Sequence, residues 1–403
     1  MTWDVALILG VDGLANGAVY LLAGLGLVLI FSVTRVVFVP FGDVAAFAAL
    51  SLAAFEGKRL PPTVGLVVML ALLATLTEVT ALLRRGERTR VARALLGWGA
   101  LPLLPCALAW AASGQALPHA LFVALAVLLV VPITPLVARV ALQPIADASV
   151  LVLLIVSLAL HFLLSGLGLL FFGPEGFRTA PLAGGSLMLP GGFPLSGQVM
   201  LMLAAAVVLS GLFFLAFERT VAGKALRATA VNRVGARLVG IRPARTGTTA
   251  YFIASLLAGV SAILVGPTTT IYYDSGFMIG LKAFIGAIIG GFTSYPIAAL
   301  GAVLVGIMES FASFWSSSFK EVIVFSLLIP VLLWQSWKTS GHADEAGEEL
   351  EMPDAIVLSE RKCPSSRSVS APIASAASPV VTSANNSPIH GDRPSVTVAQ
   401  AVA

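Results

Sequence analysis

Polar positions are too sparse along most of this chain to mark out one face of a helix or strand. Apolar residues instead run on for about 20 positions at a time between short polar or Gly/Pro-rich joints, which predicts helices long enough to cross a bilayer. Nine spans are expected, at roughly 10–33, 36–55, 61–83, 94–112, 119–138, 149–171, 197–217, 248–267 and 319–337. A further apolar stretch, Gly280 to Glu309, carries GGFTSYP at its centre and reads as a Gly-rich re-entrant pair of half-helices around a turn. The expected class is therefore an all-α membrane protein of about nine transmembrane helices plus this pair, forming one domain over residues 1–338.

Composition supports that reading. Hydrophobic residues make up 58% of the 403 and charged residues 11%, whereas a soluble chain is near a quarter charged. From about Thr339 the pattern changes to acidic and then Ser/Ala/Pro/Thr-rich sequence, so 339–403 is expected to be a disordered tail. The opening MTWD has no basic n-region or cleavage site, so no removable signal peptide is expected.

Lys and Arg orient the spans, because they accumulate in short cytoplasmic loops. The Arg84–Arg93 loop holds five and the Arg219–Arg245 loop seven; with Arg35 and Arg139 the cytoplasmic side carries 14, against four outside (Lys58, Arg59, Arg178 and Lys320). The segment 218–245 is the most informative stretch, a basic, Ala-rich interruption in a lipid-soluble chain. Helix formers fill Lys224–Leu238, Val231, Val234 and Leu238 fall at i, i+3 and i+7, and Gly240 with Pro243 ends the pattern. Arg227, Arg233 and Arg237 surround that apolar stripe. Its sequence suits a surface that meets a cytoplasmic partner, the alternative being a loop that only sets topology.

Candidate chemistry is thin. There is no phosphate-binding GxxxxGK[ST], no HExxH and no GxSxG, and the four histidines are scattered; Cys106 and Cys363 form no framework. No catalytic residue, metal site, cofactor or nucleic-acid partner is expected. Asp43, Lys282 and Glu309 are ionisable groups in or near apolar stretches, where they are costly unless paired or hydrated. With Gly290 and Gly291 of the Gly-rich break they are the candidates for lining a translocation pathway, against the plainer reading of snorkelling at helix ends. Lys282 and Glu309 are expected to pair across the turn. His161, within a span, is the one histidine that could matter, and a satisfied core imidazole is the plainer expectation.

Four segments give the chain a resemblance to the permease subunits of ABC importers for branched-chain amino acids, a group extending to amide and urea permeases. They are DGLANGAVYLLAGLGLVLIFS from Asp12 with the FGD of Phe41–Asp43; VARVALQPIAD from Val137; the basic loop, through Gly223, Arg227, Ala228, Asn232, Ala236, Leu238, Gly240 and Ile241; and GFMIGLKAFIGAIIGG from Gly276, followed by Pro296, Gly301, Gly306, Glu309 and FKEVIVFSLLIPVLL from Phe319. The chain departs from the family pattern at Phe38, Phe41, Gln143 and Thr293, and in the WQSWKTSG that follows Leu333. Residues 60–115 have no counterpart in a typical member and read as an extra two-span insertion.

The resemblance implies a bacterial inner-membrane, multi-pass permease that binds no nucleotide and moves branched-chain amino acids or similar small polar solutes by alternating access. Implied partners are cytoplasmic ABC ATPase subunits, a second permease subunit or another copy, an extracytoplasmic solute-binding protein and membrane lipids. It also implies that the 218–245 loop is the ATPase-coupling element. The alternatives are a sugar-type ABC permease, a secondary transporter or channel needing no ATPase, and a scaffold without transport activity.

Overall fold

The computed structural model describes residues 3–334 apart from 116, 147, 189–193 and 293; the tail expected at 339–403, and the departure at Thr293, lie outside the described residues. In chain order the helices are α1 (Trp3–Thr34), α2 (Phe41–Glu56), α3 (Thr63–Arg84), α4 (Arg88–Ala112), α5 (His119–Ile145), α6 (Val150–Phe172), α7 (Gly197–Arg219), α8 (Val221–Val231), α9 (Arg233–Leu238), α10 (Pro243–Val265), α11 (Ser275–Ile289), α12 (Tyr295–Trp315) and α13 (Lys320–Ser326). Among the described residues, eight of these are long and apolar enough to cross a membrane.

Seven of those eight fall on expected spans. The eighth is α12, which at 21 residues has the length of a full span and not of the expected half-helix. Conversely α2, with 16 residues, falls short of a span, and the described part of the expected span at 319–337 is α13, a turn at Leu327 and helix from 328 to the last described residue, 334. The connection between α6 and α7 holds a two-stranded antiparallel hairpin, β1 (Ser186–Met188) with β2 (Pro194–Ser196), in the register Leu187 to Leu195. Hydrophobic spacing gave no hint of it.

Two helices are locally irregular for an identifiable reason. The proline ring at Pro102 and Pro105 cannot share a regular turn with the carbonyl four residues back, and α4 carries a π-helical segment at Leu95–Ala100 just before them. In α5 the turn at Val131–Pro132 plays the same part, and a second π segment follows at Ala138–Leu142.

Helix α1 is the axis of the bundle, with 83% of its apolar window buried against 11% for α7 at the periphery. Close approach explains how it is held. Gly13 and Gly17 lie against Ile307 and Val303 of α12, and a Cβ added to Gly306 would stand 2.2 Å from the Gly17 nitrogen, so only hydrogen fits at that crossing.

The core is organised as two three-helix units that run in opposite senses, α1–α2–α5 and α10–α11–α12. Helices α1 and α10 cross antiparallel, Gly26 beside Ala254. Each first helix also packs antiparallel on the third helix of the other unit: α1 on α12 as above, and α10 on α5, where Ser255 Oγ donates to the Val130 carbonyl at 3.1 Å. Each packs beside the second helix of the other unit, Gly24 facing Ala283 and Gly259 facing Ala48. Such inverted pairing is a common architecture of membrane transporters.

Neither second helix starts at an end of the bundle. Pro40 ends the non-helical segment 35–40, and α2 begins at mid-height, where Ser157 Oγ near the middle of α6 accepts from the Val39 N–H at 2.8 Å. The start of α11 meets it there, for a Cβ on Gly42 would lie 2.0 Å from the Gly276 carbonyl oxygen. The insertion helices α3 and α4 occupy the α2–α5 connection, whereas α11 joins α12 through residues 290–294 alone.

Candidate translocation elements and coupling loop

The first intramembrane cluster forms where α1, α11, α12 and α13 meet. Lys282 Nζ donates to Glu309 Oε1 at 2.5 Å, with side chains 7% and 11% exposed. Glu309 Oε2 accepts from the Tyr20 hydroxyl at 2.6 Å, and Lys282 reaches Glu321 Oε1 at 3.3 Å. The Lys282–Glu309 pairing is as expected from sequence; Tyr20 and Glu321 were not foreseen. Three of these groups are buried, so the ion pair survives in a low-dielectric setting because each charge has more than one hydrogen-bond partner.

A second pair sits at mid-height. Asp43, in the first turn of α2, is fully buried, and its Oδ2 lies 2.7 Å from His161 Nδ1 of α6. The imidazole stacks on Phe277 at the start of α11, ring centroids 4.5 Å apart. His161 is thus the satisfied core imidazole expected, and its partner is one of the candidate site residues.

Gly290 and Gly291 lie elsewhere. They close α11 at the other end from Gly276, where Gly291 (φ 60°) and Phe292 (φ 56°) both take left-handed backbone and Phe292 packs on Phe31, ring centroids 4.5 Å apart. The structure therefore separates the five candidates into a mid-height pair, an ion-pair cluster and a turn. It does not gather them around one cavity, and Asp43, Lys282 and Glu309 are all buried.

The basic segments share one end of the bundle. Arg139 pairs with Glu78 near the end of α3, hydrogen bonds Gln143 and lies 5.6 Å from the Trp98 ring centroid, while Gln143 Nε2 donates to Thr248 Oγ1 at 3.3 Å. These contacts bring the end of α3 and the start of α10 together, as the even number of intervening spans requires. They also fasten the insertion to the bundle.

The loop at that end is two helices, not the continuous stripe expected across Val231–Leu238. Asn232 has extended backbone (φ −148°, ψ 106°), and its Oδ1 accepts from the N–H groups of Val234 and Gly235 at 3.0 and 2.9 Å, capping α9. Thr220 caps α8 by accepting from Gly223 N at 3.0 Å. The inner face of α8 is anchored: Gly223 lies on the backbone of Ala216 and Phe217, Leu226 joins a buried cluster with Leu29, Val33, Phe217 and Ala250, and Thr246 Oγ1 donates to Thr229 Oγ1 at 3.1 Å.

The outer face is left open. Val231, Val234 and Leu238 are 81%, 67% and 84% exposed, and Val239, missed by the sequence reading, is 74% exposed. Of the three candidate arginines, Arg227 has Glu218 at 3.7 Å, while Arg233 and Arg237 lie on α9 beside the apolar residues. A braced platform presenting isolated aliphatic side chains and cations, outside the apolar bundle, is suited to docking a protein surface.

This is a polytopic α-helical membrane protein built on an inverted repeat, with a basic two-helix loop packed on one end. Residues 10–332 match the family described as branched-chain amino acid transport system / permease component, and the chain belongs to that family. Over 140 residues it is 35% identical to the high-affinity branched-chain amino acid transport system permease protein BraD of Pseudomonas aeruginosa, covering 34% of this chain and 45% of that protein. Over 201 residues it is 30% identical to the corresponding permease protein LivH of Escherichia coli and of Salmonella typhimurium, covering 48% of this chain and 65% of each relative. The matched part is thus less than two thirds of each relative's length. No solved structure matches the chain. Family and apolar helices together define a multi-pass inner-membrane protein.

Proposed function

We propose that the chain is the transmembrane permease subunit of an ATP-driven ABC importer for branched-chain amino acids or similar small polar solutes. It works with a second permease subunit or a second copy, two cytoplasmic ATPase subunits and an extracytoplasmic solute-binding protein. The observation that carries this reading is the platform of α8 and α9: Val231, Val234 and Leu238 stand exposed on a base locked to the core by Leu226 and Gly223. An element that transmits force must be stiff toward the bundle and adhesive toward its partner, and the buried inner face and exposed aliphatic outer face of α8 and α9 support that role.

The basic end is then the cytoplasmic one. The helices that carry Asp43, Lys282, Gly290, Gly291 and Glu309 border the translocation pathway, with Lys282–Glu309 tying α11 to α12 across the turn at Gly290 and Gly291. Asp43 with His161 fixes the start of α2 against α6. The insertion 60–115 is peripheral to transport, a reading supported by its place in the α2–α5 connection, outside the repeated helices. Solute uptake into vesicles reconstituted with and without the ATPase tests the proposal: uptake should require ATP and the ATPase, and uptake by this chain alone under an ion gradient would make it a secondary carrier.

A further inference from the structure

At the basic end, α1, α7 and α8 meet the start of α12 around a cleft of about 620 Å³. Its walls are hydrocarbon and aromatic, with Leu21, Leu25, Phe213 and Phe217 among them. Its cations are Arg35 and Arg227, and the hydroxyls of Ser32 and Tyr295 lie 3.3 Å apart at its lining.

Neither guanidinium is tightly engaged. Arg227 has Glu218 only at 3.7 Å, with both side chains about half exposed, and Arg35 donates to the Ala230 carbonyl at 3.3 Å. Arg35 sits directly after α1 in left-handed backbone (φ 61°), a conformation side-chain-bearing residues rarely take.

An apolar wall at the level of membrane helices is wetted by acyl chains, and guanidiniums at the interface recognise phosphate through paired N–H donors. We propose that this cleft is a site for an anionic phospholipid, its phosphate between Arg35 and Arg227 and one acyl chain along Phe213 and Phe217. A zwitterionic lipid brings its own cation toward the two arginines and is disfavoured. A bound lipid would brace α8 against α1 and α7, because Ala230 and Val231 of α8 also line the cleft. The site does not depend on the transport reading, so the two can fail separately.

The test is native mass spectrometry of the full-length protein released from detergent after incubation with phosphatidylglycerol or phosphatidylcholine. Wild type should retain one phosphatidylglycerol per protomer, and Arg35→Gln/Arg227→Gln should lower that retention at least tenfold. Arg242→Gln, an exposed arginine at the same end but outside the cleft lining, should leave it unchanged. A phosphatidylglycerol carrying a photoreactive acyl chain should label α7 in wild type, which locates the site without any substitution. Equal retention of the two lipids, equal retention by the double variant, displacement by millimolar inorganic phosphate, or absence of label on α7 because a second copy covers the cleft would each overturn the proposal.

Discussion

Replacing Lys282 with Met should damage the bundle more than replacing its partner. The substitution keeps the length of the side chain but leaves the Glu309 carboxylate buried, with the Tyr20 hydroxyl as its remaining donor and Glu321 on the far side of the lost ammonium. Stripping one partner from a buried pair costs about 3–5 kcal/mol, because the stranded charge keeps its desolvation penalty. Glu309→Gln is the milder change: the ammonium retains Glu321, whose side chain is 35% exposed, and the amide oxygen can still accept, so about 1–2 kcal/mol is expected. In the double variant the stranded charge is gone, and stability should recover by about 2 kcal/mol relative to the sum of the singles. Unfolding of the four proteins by denaturing detergent in mixed micelles measures this cycle. Additivity within about 0.5 kcal/mol, or Glu309→Gln proving the more harmful, would refute the reasoning.

Three further outcomes are expected, two from the packing and one from the composition of the tail. Gly306→Val forces α12 from α1, since a Cβ there would stand 2.2 Å from the Gly17 nitrogen, and should abolish assembly of a monodisperse protein as seen by size-exclusion chromatography. Asp43→Asn keeps an acceptor for His161 and should cost under about 1 kcal/mol, whereas Asp43→Leu leaves the imidazole unpaired and should cost about 1–3 kcal/mol in the same detergent assay. Truncation after Thr339 should leave solute uptake intact, with loss of uptake by a normally inserted protein exposing a role for the tail.

The placement of seven of the eight long helices could be read from sequence because a bilayer demands apolar runs of nearly fixed length. Depth could not. The run at 36–55 looks like any span, and only the contacts of Val39 with Ser157 and of Gly42 with Gly276 reveal that α2 starts inside the bundle. Lys282 and Glu309 were paired from sequence because a single turn lies between them, while Asp43 and His161, 118 positions apart, carry no local sign of each other. The break at Asn232 was legible in principle: Asn is a strong helix N-cap, but the i, i+3, i+7 spacing of Val231, Val234 and Leu238 masked it. The inverted repeat went unseen because it resides in helix packing and not in matching residues.

Most direct for the central claim is pull-down of the ATPase subunit by membrane-inserted variants of the α8–α9 platform, scored with ATP-dependent uptake. Leu238→Asp puts a charge where an 84% exposed aliphatic side chain awaits a partner; losing such an anchor forfeits roughly 1.5–3 kcal/mol, tenfold or more in complex occupancy. Arg237→Ala, at the rim, should do less harm. The account predicts that Leu238→Asp loses both the ATPase and uptake while inserting normally; full ATPase retention and uptake with Leu238→Asp would contradict it.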